Sequence, residues 1–303
     1  MSESSWLRNH TTLATLALVA TTAVWGGTFV VVQDAVGRIP VLPFLFWRFA
    51  LATLALWAVR PSSVLSLDPE RRKHGLILGV MLGAGYILQT FGLQHTTATA
   101  AGFITGMFVV FTPMLGWLVL GQPPTRSVWV GGTLAFVGLG LISLNGLSIG
   151  LGDLLTLGAA LAFAGHIVGL GQWSTPQDAH ALTVLQLGIV ALMCLVATPF
   201  QGGLVLPPDG QVWAAVIFLA LAATALAFLA QTWAQSHLPA TRAAIVLTLE
   251  PVFAGVFGVT VGGDEITARL VAGGLCILSA MYVVELAPRL RRVDPTDLVS
   301  PPR

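Results

Sequence analysis

Gln89, Thr90, His95, Ala98, Thr99 and Ala101 return 142 positions later as Gln231, Thr232, His237, Ala240, Thr241 and Ala243. Gly121, Thr125, Gly131 and Gly132 return at the same interval as Gly263, Thr267, Gly273 and Gly274. The chain is a duplicated unit, and a repeat of this length restricts the fold more than any single motif does. Each copy reads as five apolar crossings. Because five is odd, the second copy enters a bilayer from the opposite face, and an axis in the membrane plane relates the two. Inverted repeats of this kind recur in carriers that open alternately to either side.

The bilayer itself follows from composition. Only 9% of the residues are Asp, Glu, Lys or Arg, against roughly 25% in ordinary soluble domains, and 55% are hydrophobic. Mean hydropathy is +0.85. Turn and charge punctuation leaves apolar segments at 12–36, 41–59, 75–94, 98–120, 127–145, 151–172, 180–199, 211–233, 240–261 and 267–287, each near the roughly 20 residues that one crossing needs. The expected fold is all-α: a polytopic membrane protein of ten transmembrane helices in two inverted five-helix repeats. The first repeat is expected over 12–145 and the second over 151–287, with a cytoplasmic tail at 288–303. The connections are too short for further domains. The first segment reads as an uncleaved span, because no small-residue cleavage site follows it.

Orientation follows from short-loop Lys and Arg. A cytoplasmic amino terminus puts Arg8, Arg60, Arg71, Arg72, Lys73, Arg126, Arg242, Arg289, Arg291, Arg292 and Arg303 inside, eleven of the fourteen basic residues. Arg38 and Arg269 fall outside and Arg48 lies within a span. Both termini are expected in the cytoplasm, in a bacterial-type plasma or inner membrane. A net charge of +1 without a basic cluster argues against nucleic acid as a partner. Cys194 and Cys276 stand alone in apolar runs, so no disulfide, metal site or cofactor is expected.

Four stretches resemble the EamA-type branch of the drug/metabolite transporter superfamily. They are Trp25-Gly26-Gly27-Thr28-Phe29, Arg48 within Phe46-Trp47-Arg48-Phe49, Ala100 through Thr105-Gly106 to Thr112-Pro113, and Leu249-Glu250-Pro251-Val252-Phe253. The likeness covers about residues 14 to 286. One departure is visible. Members often carry Gly-Glu, with Thr two residues on, after the fourth and ninth spans, whereas this chain reads Gly121-Gln122-Pro123-Pro124-Thr125 and Gly263-Asp264-Glu265-Ile266-Thr267. The resemblance implies a central cavity walled mainly by spans 1, 3, 4, 6, 8 and 9, and export of small metabolites such as amino acids. It implies a transporter and not an enzyme.

The residues that carry cavity chemistry are Trp25, Gly26, Thr28, Arg48, Tyr86, Gln89, Thr105, His166, Gln231 and Glu250, with Gly27, Pro113 and Pro251 as bend or hinge positions. Glu250 lies deep in a span, where an ionised carboxylate is costly. Pro251 frees the Leu247 carbonyl beside it. Glu250 then either binds a proton or a substrate ammonium, or, protonated, it holds the kink. Arg48 either snorkels to the headgroups or grips a substrate carboxylate with its fork; paired with Glu250 it suits a zwitterion. His166 is a proton carrier near neutral pH or a neutral packing histidine. Gln89 and Gln231 share one repeat position, and Tyr86 lies one turn before Gln89 on the same face. These three line the cavity or bond between helices.

Small residues four apart, at Gly79 and Gly83, Gly102 and Gly106, Gly165 and Gly169, and Gly258 and Gly262, allow close helix approach. Gly146-Leu147-Ser148-Ile149-Gly150 matches a serine-hydrolase elbow in letters, but a link between repeats lacks the strand and helix that the elbow needs. The function expected is outward transport of small organic metabolites by alternating access, with proton antiport through Glu250 as the coupling hypothesis. Uncoupled facilitation or uptake, and an embedded enzyme or scaffold, are the alternatives. In a variant lacking Cys194 and Cys276, a thiol at Ser148→Cys is expected to react from the periplasm, and one at Ser300→Cys from the cytosol only. Impermeant maleimide labelling of cells and inverted vesicles checks both.

Overall fold

The computed structural model describes residues 3–121, 123–145, 148–238, 246–247 and 249–290. Expectations on Gln122, Gly146, Leu147, Ala240, Thr241, Arg242, Ala243, Arg291, Arg292 and Arg303 lie outside the described residues. The first copy holds α1 (Glu3–Val36), α2 (Val41–Val59), α3 (Pro69–Leu93), a fourth span divided into α4 (Ala98–Thr105) and α5 (Phe108–Leu120), and α6 (Arg126–Ser143). The second holds α7 (Leu151–Trp173), α8 (Ala179–Ala197), an eighth span made of α9 (Gly210–Ala220) and α10 (Ala227–His237), then α11 (Leu249–Thr260) and α12 (Ala268–Leu290). Among the described residues this makes ten crossings. Seven are long and apolar enough to span a bilayer unaided; the fifth, ninth and tenth are shorter apolar helices over the residues described. The serine motif falls in a two-residue ladder that pairs Leu144 with Ile149 and Asn145 with Ser148, a hairpin link between repeats.

Helix starts are set by local hydrogen bonding more than by hydropathy. The third helix begins at Pro69, ahead of the apolar run, because the Asp68 carboxylate accepts from the Arg71 backbone N–H at 2.8 Å and Pro69 occupies the first helical position, where no N–H is needed. The ninth begins at Gly210 because Asp209 accepts from the N–H groups of Gln211 and Val212 at 2.9 and 3.0 Å. Those bonds, the Val212 N–H above all, and the Arg38 guanidinium hold the Asp209 carboxyl below its ordinary range.

Two ion pairs show the inversion. Arg38, in the loop after α1, pairs with Asp209 in the loop before α9. Arg71, at the start of α3, pairs with Asp178 in the loop after α7. The loops after α1 and α7 are counterparts in the two repeats. Each is fastened to a different end of the helix stack, so the copies run in opposite directions through it.

Packing is inside out relative to a soluble protein. Val59, Leu118, Val119 and Val196 are exposed, while Arg48, Gln89, His166, Gln186, Gln231 and Glu250 are buried. Lipid replaces water outside, so polar groups gather where helices face each other. The repeats interlock through small residues. A methyl group added to Gly26 would lie 2.7 Å from the Ala254 nitrogen and 2.9 Å from the Glu250 carbonyl, and one on Gly106 would lie 2.6 Å from Pro251 Cγ. Gly102 meets Ala254 as closely. Thus α11 is drawn against α1 and α4 at backbone distance.

The fourth span carries a break that the sequence reading did not place. The fourth span breaks at Gly106–Met107, and α5 runs through Pro113. Three-residue bonds from Met107 to Ile104, Val109 to Gly106 and Val110 to Met107 tighten the chain there, at 3.0, 3.1 and 2.9 Å. The contact of Gly106 with Pro251 sets the position of the break. Past it, the Thr112 hydroxyl donates to the Phe108 carbonyl at 2.7 Å, beside the carbonyl that Pro113 leaves unbonded.

Gly102→Leu is expected to destabilise the fold by about 1 to 3 kcal/mol or more, the usual cost of overpacking. Gly116→Ala, which meets nothing within 4 Å, is expected to be silent. Thermal melts followed by size-exclusion elution of both variants check the contrast.

Candidate functional site

Six spans converge on one cavity of about 50 Å³, with room for a few water molecules. Its wall comes from α1 (Trp25, Thr28, Phe29), α3 (Leu82, Tyr86, Gln89), the fourth span (Thr105, Phe108), α7 (Phe163, His166, Ile167), α10 (Phe228, Gln231) and the ninth span (Leu247, Glu250). The spacings of three, four and seven residues put each set on one helical face. Eight of the ten cavity candidates read from the sequence line it. Gly26 does not line the space; it lets α1 reach Glu250's backbone. Arg48 also stands outside the lining.

Arg48 is 2% exposed, so the snorkelling alternative fails. Its Nε donates to Thr224 Oγ1 at 2.8 Å, and its guanidinium carbon lies 4.9 Å from the Tyr86 ring centre and 5.5 Å from that of Phe49. Rings at this range stabilise a desolvated cation. Tyr86 stands between Arg48 and the cavity. No carboxylate pairs with Arg48 among the described residues, and the Arg48–Glu250 pair that would suit a zwitterion is not formed.

Thr224 reaches Arg48 because the eighth span leaves the α-helical path at Leu221–Leu226, where one π turn joins α9 to α10. A π turn loosens the backbone ladder and frees carbonyls for other donors. Ala223 uses this freedom: its carbonyl accepts from Trp25 Nε1 at 2.8 Å. One irregular turn in the second repeat thus orients both the aromatic signature of the first span and the arginine of the second. Sequence reading missed this turn, since it contains neither Gly nor Pro. The available signal was Thr224, the one hydroxyl between Val212 and Ala230.

Other lining groups are partly engaged. Gln89 Nε2 donates to Thr105 Oγ1 at 3.0 Å, so this pair bonds between helices and lines the cavity as well. Thr28 Oγ1 donates to the Trp25 carbonyl at 2.7 Å. His166 Nε2 donates to Gln186 Oε1 at 2.6 Å, a partner from α8 that sequence reading missed. Phe228, also missed, stands 5.1 Å from Trp25, 5.9 Å from Tyr86 and 6.3 Å from His166 by ring centres. Phe163 closes the aromatic ring set at 5.4 Å from Tyr86.

Two acceptors stay open. Gln231 Oε1 is buried with no hydrogen-bond partner, and the Glu250 carboxylate has none among the described residues. Pro251 leaves the Leu247 carbonyl without its helical donor, and Leu247 lines the same space. Asp264, where the Gly-Glu pattern departs, serves the fold, because its Oδ2 accepts from the Thr99 N–H at 2.8 Å and caps α4 from the other repeat.

The profile of the EamA-like transporter family matches residues 12–144 and again 150–286. A protein from Archaeoglobus fulgidus described as an uncharacterized transporter is 33% identical over 89% of this chain and 84% of its own. The threonine/homoserine exporter RhtA of Escherichia coli is 28% identical over 77% and 78% of the two chains. The pseudopaline exporter CntI of Pseudomonas aeruginosa is 26% identical over 82% and 87%. A solved crystal structure, 18% identical, superposes with a TM-score of 0.65 over 92% of this chain and 98% of that one, and shows the same fold.

Thr224→Val is expected to lower thermal stability by about 1.5 to 3 kcal/mol, the worth of a hydrogen bond to a charged group. The variant Thr260→Val, at an exposed hydroxyl that bonds within its own helix, is expected to stay within about 0.5 kcal/mol of the parent. Paired unfolding curves in one detergent check both.

Proposed function

Because this chain belongs to the EamA-like transporter family, we propose that it exports small organic metabolites, amino-acid-like or related amphipathic solutes, by alternating access around the cavity between its repeats. The observation that carries this reading is Glu250, a buried carboxylate at a small, largely aromatic and aliphatic cavity between helices of both copies. Its charge is costly at bilayer depth, so a proton or a cationic group of the solute must offset it. Both cannot occupy it together. Competition for one acceptor is the physical basis of antiport, in which proton entry expels the solute.

Trp25, Thr28, Tyr86, Gln89, Thr105, His166 and Gln231 form the solute's surroundings in this reading, and Arg48 holds Tyr86 from behind. Gly27, where an added methyl group would lie 3.4 Å from the Phe257 ring, and Pro251 serve as the points about which α1 and α11 shift. The moving units are residues 12–145 and 151–287, with a cytoplasmic tail at 288–303. Export direction is supported by the two relatives named as exporters. Both termini face the cytoplasm of a bacterial-type cell in this proposal, as the eleven basic residues on that side suggest.

Glu250→Gln is expected to fold and reach the membrane normally while pH-driven flux falls by about tenfold or more, the loss of one charge-assisted contact of about 1.5 kcal/mol. Proteoliposome flux with and without an imposed pH gradient checks it. Flux in the parent protein that ignores the gradient would instead describe an uncoupled facilitator.

A further inference from the structure

The lining of the central cavity holds one carboxylate, Glu250, and neither Lys nor Arg. Gln231, 3% exposed, has a buried Oε1 with no hydrogen-bond partner, and it lines the same cavity as the Glu250 carboxylate. Leaving such acceptors unpaired in a dry site costs about 1 to 3 kcal/mol each, so they mark where a donor is missing. Three N–H-bearing side chains of the wall are already engaged. Trp25 Nε1 is held by Ala223, Gln89 Nε2 by Thr105 and His166 Nε2 by Gln186. Arg48 stands outside the lining, with its Nε on Thr224 and its guanidinium against the Tyr86 ring.

The geometry points to a solute recognised through a protonated amine on an apolar body, with no carboxylate required. The ammonium donates to the Glu250 carboxylate and to Gln231 Oε1, and the faces of Trp25, Tyr86 and Phe228 add cation–π attraction. The apolar body lies against Phe29, Phe108 and Phe163, which also line the space. A carboxylate on the same solute gains no cation here and must give up its hydration. Amines are therefore preferred over the matching amino acids. This narrows the substrate class of the proposed exporter and rests on that reading only for the transport step. The cavity as it stands has room for a few waters, so the preferred solutes are small and the aromatic side chains separate to admit them.

The test compares three compounds that share one carbon skeleton: 3-methylbutylamine, leucine and 4-methylpentanoate. Binding to the purified full-length protein is read by calorimetry, and counterflow is read in proteoliposomes. The amine is expected to bind about tenfold or more tightly than leucine, one charge-assisted contact being worth that factor, and the acid is expected not to compete. Gln231→Leu should weaken the amine by about tenfold on the same basis; the comparison in the parent protein stands without it if that variant fails to fold. Leucine binding as tightly as the amine, competition by 4-methylpentanoate, or no binding of the amine would each overturn the inference. Amine binding without counterflow would leave the ligand class intact and overturn the transport reading instead.

Discussion

The interior of this protein depends on backbone contact between its two halves. At Gly26, Gly102 and Gly106 the first repeat has no side chain, and α11 lies in the gap with Ala254 and Pro251 against it. Lipid offers apolar helices as good an environment as other helices do, so association in a bilayer is driven by close packing and not by hydrophobic burial. Small residues make that packing tight enough to exclude lipid. Once α11 is seated, Glu250 is carried to the centre, and the rest of the polar set is arranged around it.

The helices give up regularity where that arrangement requires it. Spans 4 and 8 both leave the α-helical path, the fourth at Gly106–Met107 and the eighth at Leu221–Leu226. A carbonyl without a partner is costly in hydrocarbon, and such irregularities persist only where protein covers them. Here one of them is put to use. The Ala223 carbonyl receives Trp25, and the neighbouring Thr224 receives Arg48, so a defect in one repeat orients the signature residues of the other. An arginine that has no carboxylate partner among the described residues is thereby kept inside by a hydroxyl and two aromatic faces.

The same arrangement separates two roles that a one-dimensional reading runs together. Arg48 and Glu250 are both intramembrane charges and suggest a zwitterion clamp when only their depth is known. In the fold, Tyr86 stands between them: Arg48 supports the wall and Glu250 faces the space. The cavity is left with one carboxylate, an unpartnered amide oxygen and aromatic rings, and with neither Lys nor Arg in its lining.

Much of this protein was legible in its residues alone. The 142-residue repeat, the ten apolar segments and the scarcity of charge determined an all-helical membrane protein with inverted halves, because bilayer thickness and backbone hydrogen bonding leave few other solutions. Helical spacing placed Tyr86 with Gln89, and eight of ten cavity candidates proved to share one space. Tertiary structure decided the rest. It added a break at Gly106–Met107, where Gly106 packs closely on Pro251. It turned Arg48 inward because the π turn, which no Gly or Pro announces, presented Thr224. It added Gln186, Phe163 and Phe228, ordinary residues of apolar helices until rotation aims them. Periodicity and hydropathy are properties of one segment, and so the chain determines them by itself; partner choice belongs to pairs of segments far apart in the chain, and only packing can decide it.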